Sequence, residues 1–324
     1  MTQAYVSGWR LRAVIVSVIF AACGYLLVSV ITGWRAVLGG LAAAGWGGIV
    51  FALCMSSLNY ALRFARWQLY LRSMGHRVPL LEHARIYLTG FALTTTPGKA
   101  GEAIRAVFLR HHGVDYASTL AAMFSERLSD LVAILVLCLP GLDLDPRLHL
   151  LVLISAAGVM AALGLLAWPA WLGWVAARAR AMQGRLGQLL RHLVHMLRQA
   201  RRCHAPRLLL ASTPLSLLAW SAEAFAFHVL CTRLGLHLGL GYAVFVYAAS
   251  MIAGSVSLLP GGLGGTEAAM VALLLLRGTS LPDAVAVTVL IRLTTLWYAV
   301  ALGLMALAGL RRRGEVGAGQ GAPR

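Results

Sequence analysis

Long apolar runs alternate with short basic loops along this chain of 324 residues. A helix that crosses a bilayer needs about 20 mostly apolar residues. The run that follows Arg10 and Arg12 is longer than the core of a secretory signal peptide and lacks a small-residue cleavage site, so we interpret it as a membrane helix. Six full spans are predicted in total, over residues 12–31, 46–62, 118–139, 148–171, 208–232 and 284–309.

Two further apolar segments, 83–96 and 241–258, run directly into Pro-Gly clusters. Each is followed by a short predicted helix, near 101–111 and 265–277. Irregular backbone at membrane depth is tolerated only inside protein or beside water. The pattern therefore predicts two re-entrant helical hairpins, and the predicted fold class is an all-α integral membrane protein.

Composition supports a membrane fold. Hydrophobic residues make up 60% of the chain and charged residues 12%, and the mean hydropathy is +0.78. Soluble domains carry about 25% charged residues. No polar segment is long enough for a soluble domain, so we predict a single polytopic membrane domain over residues 1–313 and a disordered tail over 314–324. The five cysteines are scattered without a CxxC pair, so we expect no disulfide framework, metal site or cofactor.

The net charge of +17 comes almost entirely from arginine. Such a charge is typical either of nucleic-acid binding or of a basic cytoplasmic membrane face. The apolar runs favour the membrane, so we expect no nucleic-acid partner. The arginines cluster in 63–85, 176–207 and 311–313, which predicts a multi-pass protein of the bacterial inner membrane with both termini cytoplasmic. Six full spans agree with this topology only if each hairpin returns to its own side.

The basic segment 176–207 has two interpretations. Its leucines are spaced as on an amphipathic helix that lies on anionic lipid. A basic loop that only fixes the topology explains the arginines equally well. The leucines are Leu186, Leu189, Leu190, Leu193 and Leu197.

An internal repeat contains the candidate functional residues. The sequence PGKAGE occupies 97–102, and PGGLGGTE occupies 260–267. Glu102 and Glu267 are 165 residues apart, and the same offset relates Gly113 to Gly278 and Arg127 to Arg292. The repeat units are predicted around 83–139 and 241–309. Because 118–139 is predicted to run outward and 284–309 inward, the units are expected to be inverted, as in many transporters.

The Pro-Gly segments combine two features that suit a ligand. Glycine lets the backbone approach a ligand closely, and a helix N-terminus attracts anions. Lys99 and Arg105 would add positive charge at the first segment. Alternatively, these residues only turn a hairpin. The loop residues concerned are Pro97, Gly98, Gly101, Pro260, Gly261, Gly262, Gly264 and Gly265.

Charged residues within predicted spans are functional candidates, because a charge in the bilayer is costly unless it is paired or hydrated. Arg127 and Arg292 would contact either substrate or glutamate. The predicted substrate-binding residues are Lys99, Glu102, Arg105, Arg127, Glu267 and Arg292, with Glu126, Asp130 and Glu223 as supporting charges. At the end of the second span, interfacial anchoring is the usual explanation for Asn59, Arg63, Arg66 and Trp67, and we favour it for Trp67.

No enzyme signature is present. The chain has no HExxH motif, and Gly98-Lys99 lacks the upstream glycine and downstream hydroxyl of a P-loop. Asp143 and Asp145 form a DxD pattern, but their loop is predicted to be extracytoplasmic, which disfavours a glycosyltransferase. We therefore expect no enzymatic activity.

Several of these motifs together resemble the lysylphosphatidylglycerol synthase transmembrane-region family, the flippase-like domains of bacterial and archaeal membranes. The resemblance covers roughly residues 10–310 and is carried by Arg66-Trp67, PGKAGE with Arg105, Glu126-Arg127-Leu128-Ser129-Asp130, and PGGLGGTE. It implies movement of a lipid between leaflets, and some stand-alone members are linked to hopanoid or glycolipid export. Lysine transfer is not expected, because no segment here corresponds to the soluble synthase domain.

Two functions follow as hypotheses. The first is a flippase-like translocator of an anionic phospholipid or lipid-linked molecule, in which acidic residues hold the arginines or sense protons. Without a nucleotide-binding motif, transport would be passive or driven by an ion gradient. The second is a membrane partner that anchors or regulates a lipid- or glycan-modifying enzyme. A common cavity between the two motifs would favour the first; separate, fully paired motifs would favour the second.

Overall fold

A computed structural model describes residues 8–96, 102–144, 149–257 and 259–319. These residues form helices joined by short turns, which confirms the all-α prediction. The helices are α1 (Gly8–Ser73), α2 (Leu80–Thr89), α3 (Ile104–Arg110), α4 (Tyr116–Cys138), α5 (His149–Ala167), α6 (Pro169–Ala181), α7 (Gly184–Cys203), α8 (Pro206–Arg233), α9 (Leu240–Val256), α10 (Gly265–Leu275), α11 (Leu281–Arg292) and α12 (Tyr298–Gly319).

The predicted number of spans requires correction. By length and composition, three helical stretches of the described chain are able to cross a bilayer: Trp34–Ser73, Pro206–Arg233 and Leu281–Leu310. The bent pair Val152–Ala167 and Pro169–Ala181, which meet at 71°, becomes a fourth if it is counted as one span. The spans predicted over 46–62, 208–232 and 284–309 therefore lie within these stretches, but the prediction of six full spans is not supported among the described residues.

The differences have local causes. The predicted spans 12–31 and 46–62 lie in one helix, α1, and the connection expected between them is reduced to the left-handed residue Gly45 (φ 61°). The predicted span 118–139 forms α4, but its three charges, at Glu126, Arg127 and Asp130, suit a helix surrounded by protein rather than by lipid. The predicted span 148–171 is bent where α5 ends and Pro169 begins α6.

Each predicted hairpin is a pair of short helices, and its re-entrance into a membrane stays a prediction. In the second, α9 and α10 pack together and are joined through a short 3-10 turn at Pro260–Gly262. The 17 residues of α9 rise about 25 Å, less than the roughly 30 Å hydrocarbon core. In the first, α2 continues into a 3-10 turn at Gly90–Leu93, and α3 follows after the Pro-Gly segment. The tips meet: a Cβ on Gly261 would lie 3.4 Å from Cα of Thr95.

The structure extends the repeat to earlier helices. α1 and α8 end at Ser73 and Arg233, and α2 and α9 begin at Leu80 and Leu240, each pair 160 residues apart. Between these helices, Gly75 and Gly235 are both left-handed, with φ of 92° and 77°.

Beyond the Pro-Gly segments, the offset is the predicted 165. The left-handed glycines Gly113 and Gly278 have φ of 76° and 78°, and α4 and α11 begin at Tyr116 and Leu281. Each unit is therefore a long helix, a hairpin and a second long helix, with five more residues in the second hairpin. The second long helix is α4 in the first unit; in the second unit it is α11, which continues through a π-helical turn at Leu293–Trp297 into α12. The orientation of the units relative to a membrane stays a prediction.

The segment predicted at 176–207 is helical. It contains the end of α6 and all of α7, and α7 packs along α4. The buried positions of α7 are Gly187, Val194, Ala200 and Cys203, whereas Leu186, Leu189 and Leu193 are exposed beside arginines. A basic loop is therefore the wrong interpretation, and contact of α7 with lipid stays a prediction.

Asp115 ties α7 to the start of α4. Its carboxylate accepts from the amide of Ser118 as the N-cap of α4, and it lies 3.5 Å from His195 and 3.6 Å from His76. Partial burial opposes ionisation of Asp115, but the Ser118 hydrogen bonds and the two histidines outweigh it and lower the pKa of the carboxyl. At the other end of the chain, α12 continues to Gly319, into the predicted tail, and residues 320–324 lie outside the described chain.

Candidate functional site

A cavity of about 300 Å³ lies between the two repeat units. Both hairpins and both long second helices contribute to its wall. Its polar and charged lining residues include Arg63, Thr94, Glu102, Arg127, Asp130, Glu223, Tyr247, Thr266 and Arg292, with the backbone of Gly261 and Gly262. The sequence motifs of the two units therefore face one common space.

The same ion pair occurs in each unit. Nη2 of Arg127 lies 2.7 Å from Oε2 of Glu102, and Nε of Arg292 lies 2.6 Å from Oε1 of Glu267. Each arginine is on the second long helix of its unit, 25 residues after the glutamate that follows the Pro-Gly segment. The four residues at the predicted 165-residue offset thus form two equivalent contacts, each of which fixes a hairpin to a long helix.

In the second unit the glutamate also caps its own helix. Oε2 of Glu267 accepts a hydrogen bond from the amide of Gly264 at 2.7 Å, at the start of α10. Nη2 of Arg292 donates to the carbonyl oxygen of Gly261 at 3.1 Å. The N-terminus of α10 is therefore occupied by a side chain of the protein rather than open to an anion.

The glycines of the second segment have a conformational role. Gly261, Gly262 and Gly264 have φ of 64°, 68° and 88°, a region that residues with a Cβ rarely adopt. A Cβ on Gly265 would come within 2.8 Å of the Ser257 hydroxyl. Pro260 begins the 3-10 turn between these helices. In the first segment, Pro97, Gly98, Lys99 and Gly101 lie outside the described residues.

A larger network of buried charges surrounds the first unit. Nη2 of Arg63 lies 3.0 Å from Glu126 and 3.2 Å from Asp130. Nη2 of Arg66 lies 2.7 Å from Asp130, and Nη1 of Arg105 lies 3.1 Å from Glu126. These contacts join α1, α3 and α4. Breaking such a buried pair by removing one partner costs about 3–5 kcal/mol, because the other charge stays buried without compensation.

Neutral donors complete this network. The hydroxyl of Tyr87 donates to Oε1 of Glu126 at 2.7 Å, and Nε1 of Trp220 donates to Oδ1 of Asp130 at 3.0 Å. Arg66 also donates to the hydroxyl of Ser216. The two carboxylates are thereby held by α1, α2, α3 and α8 together, so the network orients these helices around the cavity.

Arg105 lies behind the cavity wall. It is fully buried, with its guanidinium 4.1 Å from the centroid of the Tyr87 ring, and its Nε donates to the carbonyl oxygen of Tyr87 at 3.0 Å. A Cβ on Gly90 would overlap that guanidinium, so only glycine accommodates it there. Among the predicted substrate-binding residues that the structure describes, Arg105 is therefore placed to organise the site rather than to line it.

Sequence reasoning missed the role of the end of the second predicted span. Arg66 and Trp67 are fully buried, and Nε1 of Trp67 lies 2.8 Å from Nε2 of His83, so interfacial anchoring is wrong for Trp67. A signal was present in the sequence. Asn59, Arg63 and Arg66 recur at intervals of four and three residues, which places them on one helix face.

A second, mainly apolar cavity of about 290 Å³ adjoins the first. It lies between α4, α5 and α9, where Phe124, Val159 and Ile252 are among its lining residues. Arg127 and Ser255 line both cavities. The side chain of Arg127, 31% exposed, therefore stands where a charged space meets an apolar one.

The helices and the shared charged cavity define the class: this is a multi-pass membrane protein with a polar site among its helices. The chain belongs to the lysylphosphatidylglycerol synthase TM region family, whose profile matches residues 13–303. The predicted family is thus confirmed over nearly the whole chain.

Two archaeal proteins show the similarity. A UPF0104 membrane protein of Pyrococcus horikoshii is 23% identical over 287 residues, which cover 79% of this chain and 84% of that protein. A UPF0104 membrane protein of Methanothermobacter thermautotrophicus is 30% identical over 100 residues, which cover 31% of this chain and 30% of that protein.

Proposed function

We propose that this protein moves a lipid with an anionic head group, or a lipid-linked molecule, between the leaflets of its membrane, without catalysing a reaction. One observation carries the proposal: two repeat units with equivalent Glu–Arg pairs converge on a single charged cavity. Paired units around a midplane site are a transporter architecture, because each unit is able to open the site toward one face.

The sizes of the cavities favour a small polar head group. A volume of about 300 Å³ is at the lower end of the roughly 300–1,000 Å³ typical of small-molecule sites. Arg127 is the arginine best placed to meet that head group, because its side chain is 31% exposed whereas that of Arg292 is 6% exposed. A guanidinium suits a phosphate group through its fixed fork of donors.

The apolar cavity is able to hold an acyl chain of such a lipid. Its lining residues Phe124, Val159 and Ile252 offer no charge, and it meets the head-group cavity at Arg127. An amphiphile would place its head group beside the charges and an acyl chain between α4, α5 and α9. No nucleotide-binding motif occurs in the sequence, so we propose transport that is passive or driven by an ion gradient.

One set of observations favours the second candidate, a membrane partner that anchors or regulates a lipid- or glycan-modifying enzyme. Glu126, Asp130 and Glu267 are held by several protein donors each, as expected of a rigid scaffold. A protein that only anchors or regulates an enzyme does not need the shared cavity. We therefore place translocation first.

The test is translocation of fluorescent phosphatidylglycerol and phosphatidylcholine in proteoliposomes. We expect Glu102→Gln, Glu267→Gln and Arg127→Ala each to slow phosphatidylglycerol about tenfold to a hundredfold, because each removes a charge-assisted contact worth about 1.5–3 kcal/mol. Glu82→Gln is the control, since Glu82 is exposed and pairs with His112 away from the cavity.

Size-exclusion profiles and thermal melting show whether each variant is folded. Wild-type protein that is folded but moves none of the lipids offered, with a lipid-linked glycan included among them, would contradict the proposal and favour the scaffold. Slowing by Glu82→Gln equal to that by Glu267→Gln would also contradict it.

A further inference from the structure

The two repeat units carry opposite charges at one equivalent position. The 160-residue offset that relates the ends of α1 and α8 also relates Arg63 to Glu223. Both residues line the shared cavity. The aromatic donors are conserved between the units at the same offset: Tyr87 donates to Glu126, and Tyr247 donates to Glu223 at 2.6 Å. At this position the sign of the charge is therefore reversed between the units.

Glu223 differs from the other buried carboxylates of the site. Its side chain is buried at 5% exposure, and its hydrogen bond comes from the neutral hydroxyl of Tyr247. It makes no ion pair with any residue that the structure describes, whereas Glu102, Glu126, Asp130 and Glu267 all do. The titratable and charged groups that face it from the neighbouring helices are Tyr60 and Arg63 of α1, Asp130 of α4, Tyr247 of α9 and Arg292 of α11.

Among the residues that the structure describes, the charges around the cavity balance only if Glu223 is ionised. In the first unit, four arginines pair with three carboxylates, which leaves one positive charge: Arg63, Arg66, Arg105, Arg127, Glu102, Glu126 and Asp130. In the second unit, Arg292 and Glu267 cancel. Glu223 therefore decides whether the described charges of the site sum to zero or to one positive charge.

We propose that Glu223 is a proton-binding site and that one proton and one monoanionic head group occupy the cavity together. The inference rests on the proposed function and names its coupled ion. Protonation of Glu223 leaves the site with the surplus positive charge that an anionic head group neutralises. In the empty site, the surplus positive charge of the described arginines favours the ionised form of Glu223. When an anionic head group neutralises that surplus, an ionised carboxylate buried without a cation partner becomes costly, and Glu223 binds a proton.

The coupling is reciprocal. If protonation strengthens binding of the anion, binding of the anion strengthens protonation by the same factor. The proton enters from water at the face toward which the cavity is open and leaves to water at the other face, together with the head group. A difference in pH across the membrane then drives accumulation of the anionic lipid in the leaflet on the less acidic side.

The experiment measures translocation of fluorescent phosphatidylglycerol in proteoliposomes with the pH set independently on the two sides. For wild-type protein, we expect the rate to rise by up to about tenfold for each unit by which the pH on the loading side falls, the limit for one coupled proton. Glu223→Gln keeps the size of the side chain and an acceptor for Tyr247 but fixes a neutral state. Its translocation is expected to be independent of pH, whereas the control Glu82→Gln retains the dependence.

A second measurement does not depend on transport. Difference infrared spectroscopy on addition of phosphatidylglycerol is expected to show the carbonyl stretch of a newly protonated carboxyl group in wild type and in Glu82→Gln, and not in Glu223→Gln. If translocation by wild type and by Glu223→Gln depends on pH in the same way, the proton site is wrong but the proposed function still holds. Absence of translocation by folded wild type contradicts the proposed function, and an infrared band that persists in Glu223→Gln overturns the proton site separately.

Discussion

At the scale of single residues, close packing at Gly303 holds the first hairpin against the last long helix. Gly303 lies in α12, and a Cβ there would overlap the backbone of Phe91 and Ala92 in the 3-10 turn after α2. Small residues allow such close approach between helices in membranes.

Gly303→Ala is therefore expected to destabilise the protein by about 1–3 kcal/mol, the usual cost of forcing extra volume into a packed interior. Gly309→Ala is the matched control, because it is in the same helix and has no atom within 4 Å of the added Cβ. Thermal unfolding in detergent measures both. Equal melting temperatures for the two variants would show that the contact is looser than described.

At the level of residues, the repeat indicates which charged side chains correspond to each other, whereas their binding of substrate stays a prediction. Glu102 and Arg127 were singled out because Glu267 and Arg292 stand at the same offset, and the structure shows both pairs in contact. Arg63 had no such copy, because its equivalent is Glu223. Its partners Glu126 and Asp130 are more than 60 residues away in the chain, so the sequence near Arg63 does not reveal them. In addition, an arginine at the end of a span has the same local sequence whether it contacts lipid head groups or a buried carboxylate.

At the scale of elements, the apolar cavity between α4, α5 and α9 allows a test of where the acyl chain lies during translocation. If an acyl chain passes there, filling it must slow translocation. Gly158 of α5 lines this cavity and has no atom within 4 Å of an added Cβ, so a larger side chain would extend into open space.

Gly158→Leu is expected to slow translocation of phosphatidylglycerol at least about fivefold, since displacing a chain from a filled site costs on the order of 1 kcal/mol or more. Gly164→Leu, at a position further along α5 and equally free of neighbours, is expected to behave as wild type. Unchanged rates in Gly158→Leu, measured in the same proteoliposomes, would place the chain elsewhere.

The hydrophobic pattern predicted where the helices lie better than which of them are separate, straight membrane spans. The runs at 208–232 and 284–309 form long helical stretches, although Pro214 lies inside the first and a π-helical turn at Leu293–Trp297 interrupts the second. No loop separates 12–31 from 46–62, since α1 is helical on both sides of the left-handed Gly45. The break between α5 and α6 was missed, although Pro169 at a helix start is a common signal.

At the scale of the whole molecule, the proposed translocation requires two units that are inverted and share one cavity. The shared cavity is described by the structure, whereas the inversion comes from the distribution of arginines. Arg63 and Arg66 are buried and contribute no charge to a cytoplasmic loop, so fewer arginines orient the protein than the sequence predicts. Arg77, which is exposed after α1, remains part of the basic loop.

The most direct measurement uses Arg77 and His237, which are equivalent at the 160-residue offset and exposed in the loops after α1 and α8. Arg77→Cys and His237→Cys, each in a cysteine-free background, are labelled in intact cells with a thiol reagent that does not cross membranes, before and after permeabilisation. This test does not require the lipid to be known. We expect His237→Cys to be labelled in intact cells and Arg77→Cys to be labelled only after permeabilisation. Labelling of both positions from the same face would contradict the inverted arrangement and, with it, the exposure of one cavity to both leaflets.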